Sequence, residues 1–112
     1  MKRIDSIIRP HQLDEVKSRL AAIGVEGITL SEVRGFGRQR GHTEVYRGTE
    51  YAVEFVPKIQ ITILTSDALV PKILEAITEG ARTGKIGDGK IFVTALEEVI
   101  RIRTGDRGES AL

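Results

Sequence analysis

Apolar residues along this chain alternate between two periods. Lys2 to Arg9 (KRIDSIIR) is rich in isoleucine and stops at Pro10, which has no N–H to extend a ladder, so it reads as a strand. Leu13, Val16, Leu20 and Ile23 then recur at helical spacing, with Lys17 and Arg19 off the stripe and Gly24 closing it. Gly27 to Val33 (GITLSEV) alternates as a second strand. The same order returns from Lys58, where KIQITILT alternates strictly and ends at Ser66-Asp67, a natural helix N-cap. Val70, Ile73, Ile77 and Ala81 continue at helical spacing, and Pro71 is tolerable because it falls in the first turn. Ile91 to Ala95 (IFVTA) supplies a closing strand, and Val99 to Arg103 is expected to form a further short one. Two strand-helix-strand units predict an α+β fold, a ferredoxin-like βαββαβ sandwich of four antiparallel strands with both helices on one face.

Between the halves, Gly35 to Pro57 is far longer than the roughly two to five residues of an ordinary hairpin loop. It carries Arg38, Arg40 and Arg47, follows Arg34, and holds both tyrosines and several glycines. Such a segment reads either as a mobile arm that orders on contact or as a long β-ribbon serving only as architecture.

The whole chain, residues 1–112, has the size of one domain. Its 17 basic and 16 acidic residues leave a net charge of +1, so no global field draws it to nucleic acid or to an anionic membrane. Three Phe, two Tyr and no Trp leave little for a base-stacking platform. The absence of cysteine excludes disulfides and thiolate metal sites. With no signal-peptide pattern and no bilayer-length apolar run, a soluble, cytoplasmic protein without membrane insertion is expected.

The segment Thr83 to Phe92 (TGKIGDGKIF) holds three glycines and two lysines and runs into the strand at Ile91. Glycines allow φ > 0 and close approach, so that successive N–H groups converge on an anion while lysines add compact charge. Gly84, Gly89 and Lys90 nearly match the P-loop spacing, but Ile91 stands where a magnesium-binding hydroxyl is required. The context is also reversed, since this loop leaves a helix and opens a strand. A Gly-rich turn with solvated lysines is the plain alternative. Arg101 and Arg103, placed in the expected last strand, would project from one face toward a polyphosphate or stand on a solvated strand edge. Lys58, at the base of the arm, is either a ligand group or an ordinary edge lysine.

The arm Gly35 to Lys58, the glycine segment Thr83 to Phe92 and the run Arg101 to Gly105 (RIRTG) together resemble the PII nitrogen-regulatory signal-transduction family across essentially the whole chain. The resemblance implies a compact homotrimer of ferredoxin-like subunits with a regulatory loop at about 36–56, a phosphate loop at about 82–90 and a C-terminal segment at about 97–112. It implies ATP or ADP in clefts between subunits, with 2-oxoglutarate beside Mg-ATP. Gly87, Asp88, Gly89 and Lys90 would cradle the phosphates, with Arg101 and Arg103 reaching them from the neighbouring subunit. Thr29 and the backbone around Leu64 would hold the adenine, and Gly35, Gly37 and Arg38 would lie near the nucleotide. Gln39 would complete the Mg²⁺ shell and contact the 2-oxo acid, while Lys58 would pair with its distal carboxylate. Tyr51 would accept a nucleotidyl group from a nucleotidyltransferase. Implied partners are nitrogen-assimilation proteins: an ammonium channel, a glutamine-synthetase-modifying enzyme and a sensor kinase.

The sequence departs from the family pattern in YRGTEY, where Thr49 replaces the usual alanine or serine, and at His11, where an aromatic is common. Thr49 is thereby a second candidate for modification, by phosphate. Two other functions are compatible with the same fold, a weak ATPase or phosphotransferase and a nucleotide-independent small-molecule sensor. Neither His11 nor His42 offers a nucleophile and base pair at workable spacing, which argues against the enzyme. Gly87 to Lys90 argues against the sensor without nucleotide.

Overall fold

The computed structural model describes residues 1–36 and 55–112 in full, together with the backbone of 43–46 and 49–52. Its strands are β1 (Lys2–Ile8), β2 (Thr29–Gly35), β3 (Thr43–Tyr46), β4 (Thr49–Ala52), β5 (Val56–Thr65) and β6 (Lys90–Ala95). The helices are α1 (Leu13–Ala22) and α2 (Val70–Ala81). Four strands form one antiparallel sheet in the order β2-β5-β1-β6, so each helix crosses over between strands that are not neighbours. This is the α+β, ferredoxin-like arrangement that the two repeated units predict.

The core follows directly from strand alternation. On β1, Ile4 and Ile8 face the helices, and on β5 Ile61 and Ile63 do the same, meeting Val16 and Leu20 of α1 and Ile73 and Ile77 of α2. Every one of these side chains is aliphatic. The helices approach closely at Gly80, where an added Cβ would lie 3.1 Å from the Val16 Cα. Arg19 of α1 bonds both Glu15 at 2.8 Å and Glu79 of α2 at 2.9 Å, tying the exposed rims of the helices together. Ser6, between Ile4 and Ile8 on the same face, is fully buried, and its hydroxyl has no partner among the described residues.

The helix-free face is polar at its centre. Asp5 is only 2% exposed, and it accepts from Arg3 Nε at 2.8 Å, Thr62 Oγ1 at 2.7 Å and Gln60 Nε2 at 3.1 Å. Burial pushes its carboxyl up, but the hydrogen bonds from Arg3, Thr62 and Gln60 outweigh that and hold it below the ordinary value. Leu64 and Phe92, in register with Arg3 and Asp5, stand 44% exposed on this face.

Three expectations require correction. The strand placed at Gly27 to Val33 runs from Thr29 to Gly35. Ser66 caps a short 3-10 turn, Asp67–Leu69, rather than α2 itself, and its side chain makes no capping bond. Asp67 instead receives the Met1 ammonium at 2.9 Å. The third correction concerns Val99 to Arg103, which is not a strand. Only Ile100 forms an isolated bridge, to Arg107, and Ile102 is 98% exposed with no neighbouring strand to pack on. The chain instead reverses, with the Gly105 N–H donating to the Arg101 carbonyl at 2.7 Å and Gly105 at φ +76°.

In the arm, β3 and β4 pair antiparallel as a ribbon separate from the main sheet, with Tyr51 opposite Glu44. At these strands the backbone of the arm is a two-stranded ribbon. Gly37, Arg38 and Gln39 lie outside the described residues, as do the side chains of Thr49 and Tyr51.

Candidate functional site

The glycine segment hangs from the end of β1, the strand that places Ile7 opposite Lys90 and Gln60. Its organiser is Asp88. The carboxylate accepts from the backbone N–H groups of Thr83 and Gly84, each at 2.8 Å, from the Thr83 hydroxyl, and from Arg9 Nε at 3.1 Å. The Thr83 hydroxyl is the foremost of these donors, and together they hold the Asp88 carboxyl far below the usual carboxylate range despite its burial. All four donors belong to the chain itself, so this side chain shapes the loop.

Two cations then orient the peptides. Arg9 Nη2 donates to the Ile86 carbonyl at 2.7 Å, and Lys58 Nζ donates to the Gly87 carbonyl. A trans peptide points its N–H opposite to its C=O, so the N–H groups of Gly87 and Asp88 leave from the other side of the loop. Neither has a hydrogen-bond partner among the described residues. Gly87 at φ +105° and Gly89 at φ +99° permit this curvature. Gly89 has a further reason to be glycine: a Cβ there would stand 1.6 Å from the Ile7 carbonyl oxygen. Lys90 begins β6 beside it, on the helix-free face.

Lys58 is no edge lysine. β5 lies between β2 and β1, and the side chain is buried at the foot of the arm, with Gly35 close enough that its missing Cβ would meet Lys58 Cγ at 3.6 Å. Burial, aided by the positive charge of Arg9, lowers the Lys58 pKa, and Asp88 partly opposes the shift.

Of the remaining expected site residues, Thr29, Leu64 and Arg101 lie toward the far end of the sheet. Thr29 and Gly35 are at opposite ends of β2, about 20 Å apart at the rise of an extended strand. Leu64 pairs with Arg3 at the end of β1 remote from the glycine loop, and it lines a cavity of about 560 Å³ with Gly27, Glu109 and Leu112. Arg101 is tied to Asp106 at 3.3 Å and to the Leu112 carbonyl at 3.2 Å. Arg103 makes no hydrogen bond or ion pair among the described residues. Because the segment turns, strand alternation does not set these two arginines on one face. A single chain thus gathers Gly35, Lys58 and Gly87–Lys90 at one end and Thr29, Leu64 and Arg101 at the other.

The comparison with known proteins bears on the whole of this arrangement. A family model described as Nitrogen regulatory protein P-II matches residues 1–106. The chain belongs to that family. It is 60% identical to the nitrogen regulatory protein P-II of Rhodospirillum rubrum and 57% identical to that of Azospirillum brasilense, over 112 residues and the full length of each chain. The protein of the same name from Haemophilus influenzae is 55% identical over the same span. Membership in the P-II family makes this chain a nitrogen signal-transduction regulator in coarse terms, as the three motifs of the sequence imply. Among the described residues of this P-II family member, no helix is long and apolar enough to cross a membrane.

Sequence reasoning on the site missed Arg9 and Thr83. Each acts on partners that the sequence pattern does not reveal: Arg9 lies 79 residues from Asp88 and meets it only because β1 and β6 are adjacent. The one available signal was an arginine at the end of an apolar strand, immediately before a proline.

Proposed function

We propose that this P-II family member is a homotrimeric sensor that binds ATP or ADP and, with Mg-ATP, 2-oxoglutarate, and that it passes the result to nitrogen-assimilation proteins through its arm. The observation that carries the reading is the orientation of the glycine loop. Its carbonyls are turned onto Arg9 and Lys58, which leaves the N–H groups of Gly87 and Asp88 and the Lys90 ammonium for a polyphosphate. The division of candidate residues between two ends of the sheet supports a cleft shared by subunits, in which Thr29, Leu64, Arg101 and Arg103 of one copy complete the Gly87–Lys90 end of another. Exposed Leu64 and Phe92 on the helix-free face supply apolar surface for such an assembly.

Among the described residues no cluster of His, Asp or Glu is arranged to hold a metal. A magnesium ion carried by the nucleotide phosphates would need few protein ligands, and Gln39 is the residue that would join its shell. An effector held between Gln39 and Lys58 would interact differently with different conformers of the arm and so shift their populations. Nucleotidylylation of Tyr51 would add bulk and charge to the docking surface, and phosphorylation of Thr49 would add charge to it. The proposed partners are an ammonium channel, a glutamine-synthetase-modifying enzyme and a sensor kinase, in the cytoplasm.

Titration calorimetry with ATP tests the nucleotide site. Lys90→Ala is expected to weaken ATP binding about ten- to a hundredfold, equivalent to about 1.5–3 kcal/mol for a charge-assisted phosphate contact. An unchanged affinity would make Lys90 a solvated turn residue.

A further inference from the structure

The C-terminal segment folds back on Arg101. Beyond the turn at Gly105, Ile100 bridges to Arg107, the Arg101 N–H donates to the Asp106 carbonyl at 2.9 Å, and the Gly108 N–H donates to the Val99 carbonyl at 2.9 Å. A 3-10 turn, Gly108–Ala111, then brings Leu112 beside the same arginine. The Arg101 guanidinium donates through Nη1 to the Asp106 carboxylate at 3.3 Å and through Nη2 to the backbone oxygen of Leu112 at 3.2 Å. Arg103, two residues on in the same turn, is exposed and makes no hydrogen bond or ion pair among the described residues. Of the two arginines proposed for the phosphates, Arg103 can turn to an anion without breaking an existing contact, and Arg101 cannot.

The group that holds Arg101 is itself an anion. A carboxylate and a phosphate compete for the same guanidinium fork, and a polyphosphate brought to Arg101 also meets the repulsion of the Asp106 charge. The pair opens at little cost, because its side chains are 38% and 47% exposed and both bonds to the guanidinium are long for charge-assisted contacts. Glu98, in the same segment, pairs instead with Arg107 at 3.4 Å. We infer that Asp106 and Leu112 form a latch on Arg101, and that a nucleoside polyphosphate takes this arginine only by displacing the Asp106 carboxylate. The inference rests on the reading of Arg101 as a phosphate ligand, and it makes Asp106 a regulator of that site's affinity. Release has a further consequence. Glu109 and Leu112 line the cavity of about 560 Å³ at Gly27 and Leu64, so a latch that opens also loosens one wall of that cavity.

The test is calorimetry of ATP with the full-length protein and with Asp106→Asn, which removes the charge and keeps the shape of the side chain. ATP is expected to bind Asp106→Asn about 2- to 5-fold more tightly, the range set by an exposed ion pair. Glu98→Gln makes the same change of charge in the same segment and leaves the partners of Arg101 in place, so ATP affinity should stay within about 1.5-fold. Hydrogen exchange over residues 108–112, followed by mass spectrometry, should quicken when ATP is added to the unsubstituted protein and be quick already in Asp106→Asn. The inference is overturned if Asp106→Asn binds ATP no more tightly than the unsubstituted protein, if Glu98→Gln tightens binding as much, or if ATP leaves the exchange unchanged or slower. Each of those results leaves the nucleotide reading intact. If the unsubstituted protein binds no ATP, that reading fails and the latch fails with it.

Discussion

Gly89→Ala is expected to cost at least about 3 kcal/mol of folding stability and to abolish measurable ATP binding. Two effects combine. The residue sits at φ +99°, a backbone conformation that L side chains rarely adopt. The new methyl group would also lie 1.6 Å from the Ile7 carbonyl oxygen and 2.8 Å from its carbon, so backbone has to move. Ile7 pairs with Gln60 on one side and Lys90 on the other, and a shift there disturbs two ladders at once. Gly84→Ala is the control: it shares a positive φ of +85° but meets nothing within 4 Å, so only about 1–2 kcal/mol should be lost. Urea unfolding of both variants checks the argument. Equal losses would show that close packing on Ile7 is not what requires Gly89.

Asp88→Ala should destabilise the protein by about 2–4 kcal/mol and weaken ATP binding as well, although the carboxylate faces its own loop. The substitution leaves the N–H groups of Thr83 and Gly84 and the Arg9 guanidinium without their acceptor. The pH dependence follows from the same bonds. Because they hold the folded-state pKa well below the unfolded one, the Asp88 contribution is complete above the unfolded value of about 3.9. It is lost as pH falls from there toward the folded value. The stability gap between the unsubstituted protein and Asp88→Ala should therefore narrow between about pH 5 and pH 2. A gap that stays constant across that range in urea titrations would contradict the assignment of these bonds to an ionised carboxylate.

Most of the fold was legible because its apolar stripes are also its core. Ile4 and Ile8, Val16 and Leu20, Ile61 and Ile63, and Ile73 and Ile77 repeat at strand or helix period and are buried together. Legibility fell where burial fell. β2 is an edge strand of mostly exposed residues, which is why its limits were displaced by two positions. Val99 to Arg103 alternates like a strand, yet Ile102 projects into solvent, since alternation specifies a strand only when there is a sheet edge to join.

The site divides in the same way. Glycines at Gly87 and Gly89 announced a loop of positive φ because backbone conformation is a local property. Arg9 and Lys58 act through carbonyls that are distant in sequence, and only the strand order brings them there. Lys58 at a strand terminus looked like either a ligand group or an edge residue. The central position of β5 removes the second reading.

The central proposal is that ATP and 2-oxoglutarate are sensed together at the Gly87–Lys90 end of the sheet. Titration of 2-oxoglutarate into the full-length protein, with and without saturating Mg-ATP, tests it most directly. Heat of binding is expected only when Mg-ATP is present, and ATP is expected to bind unaided. Equal affinity for 2-oxoglutarate in the absence of nucleotide would contradict the claim.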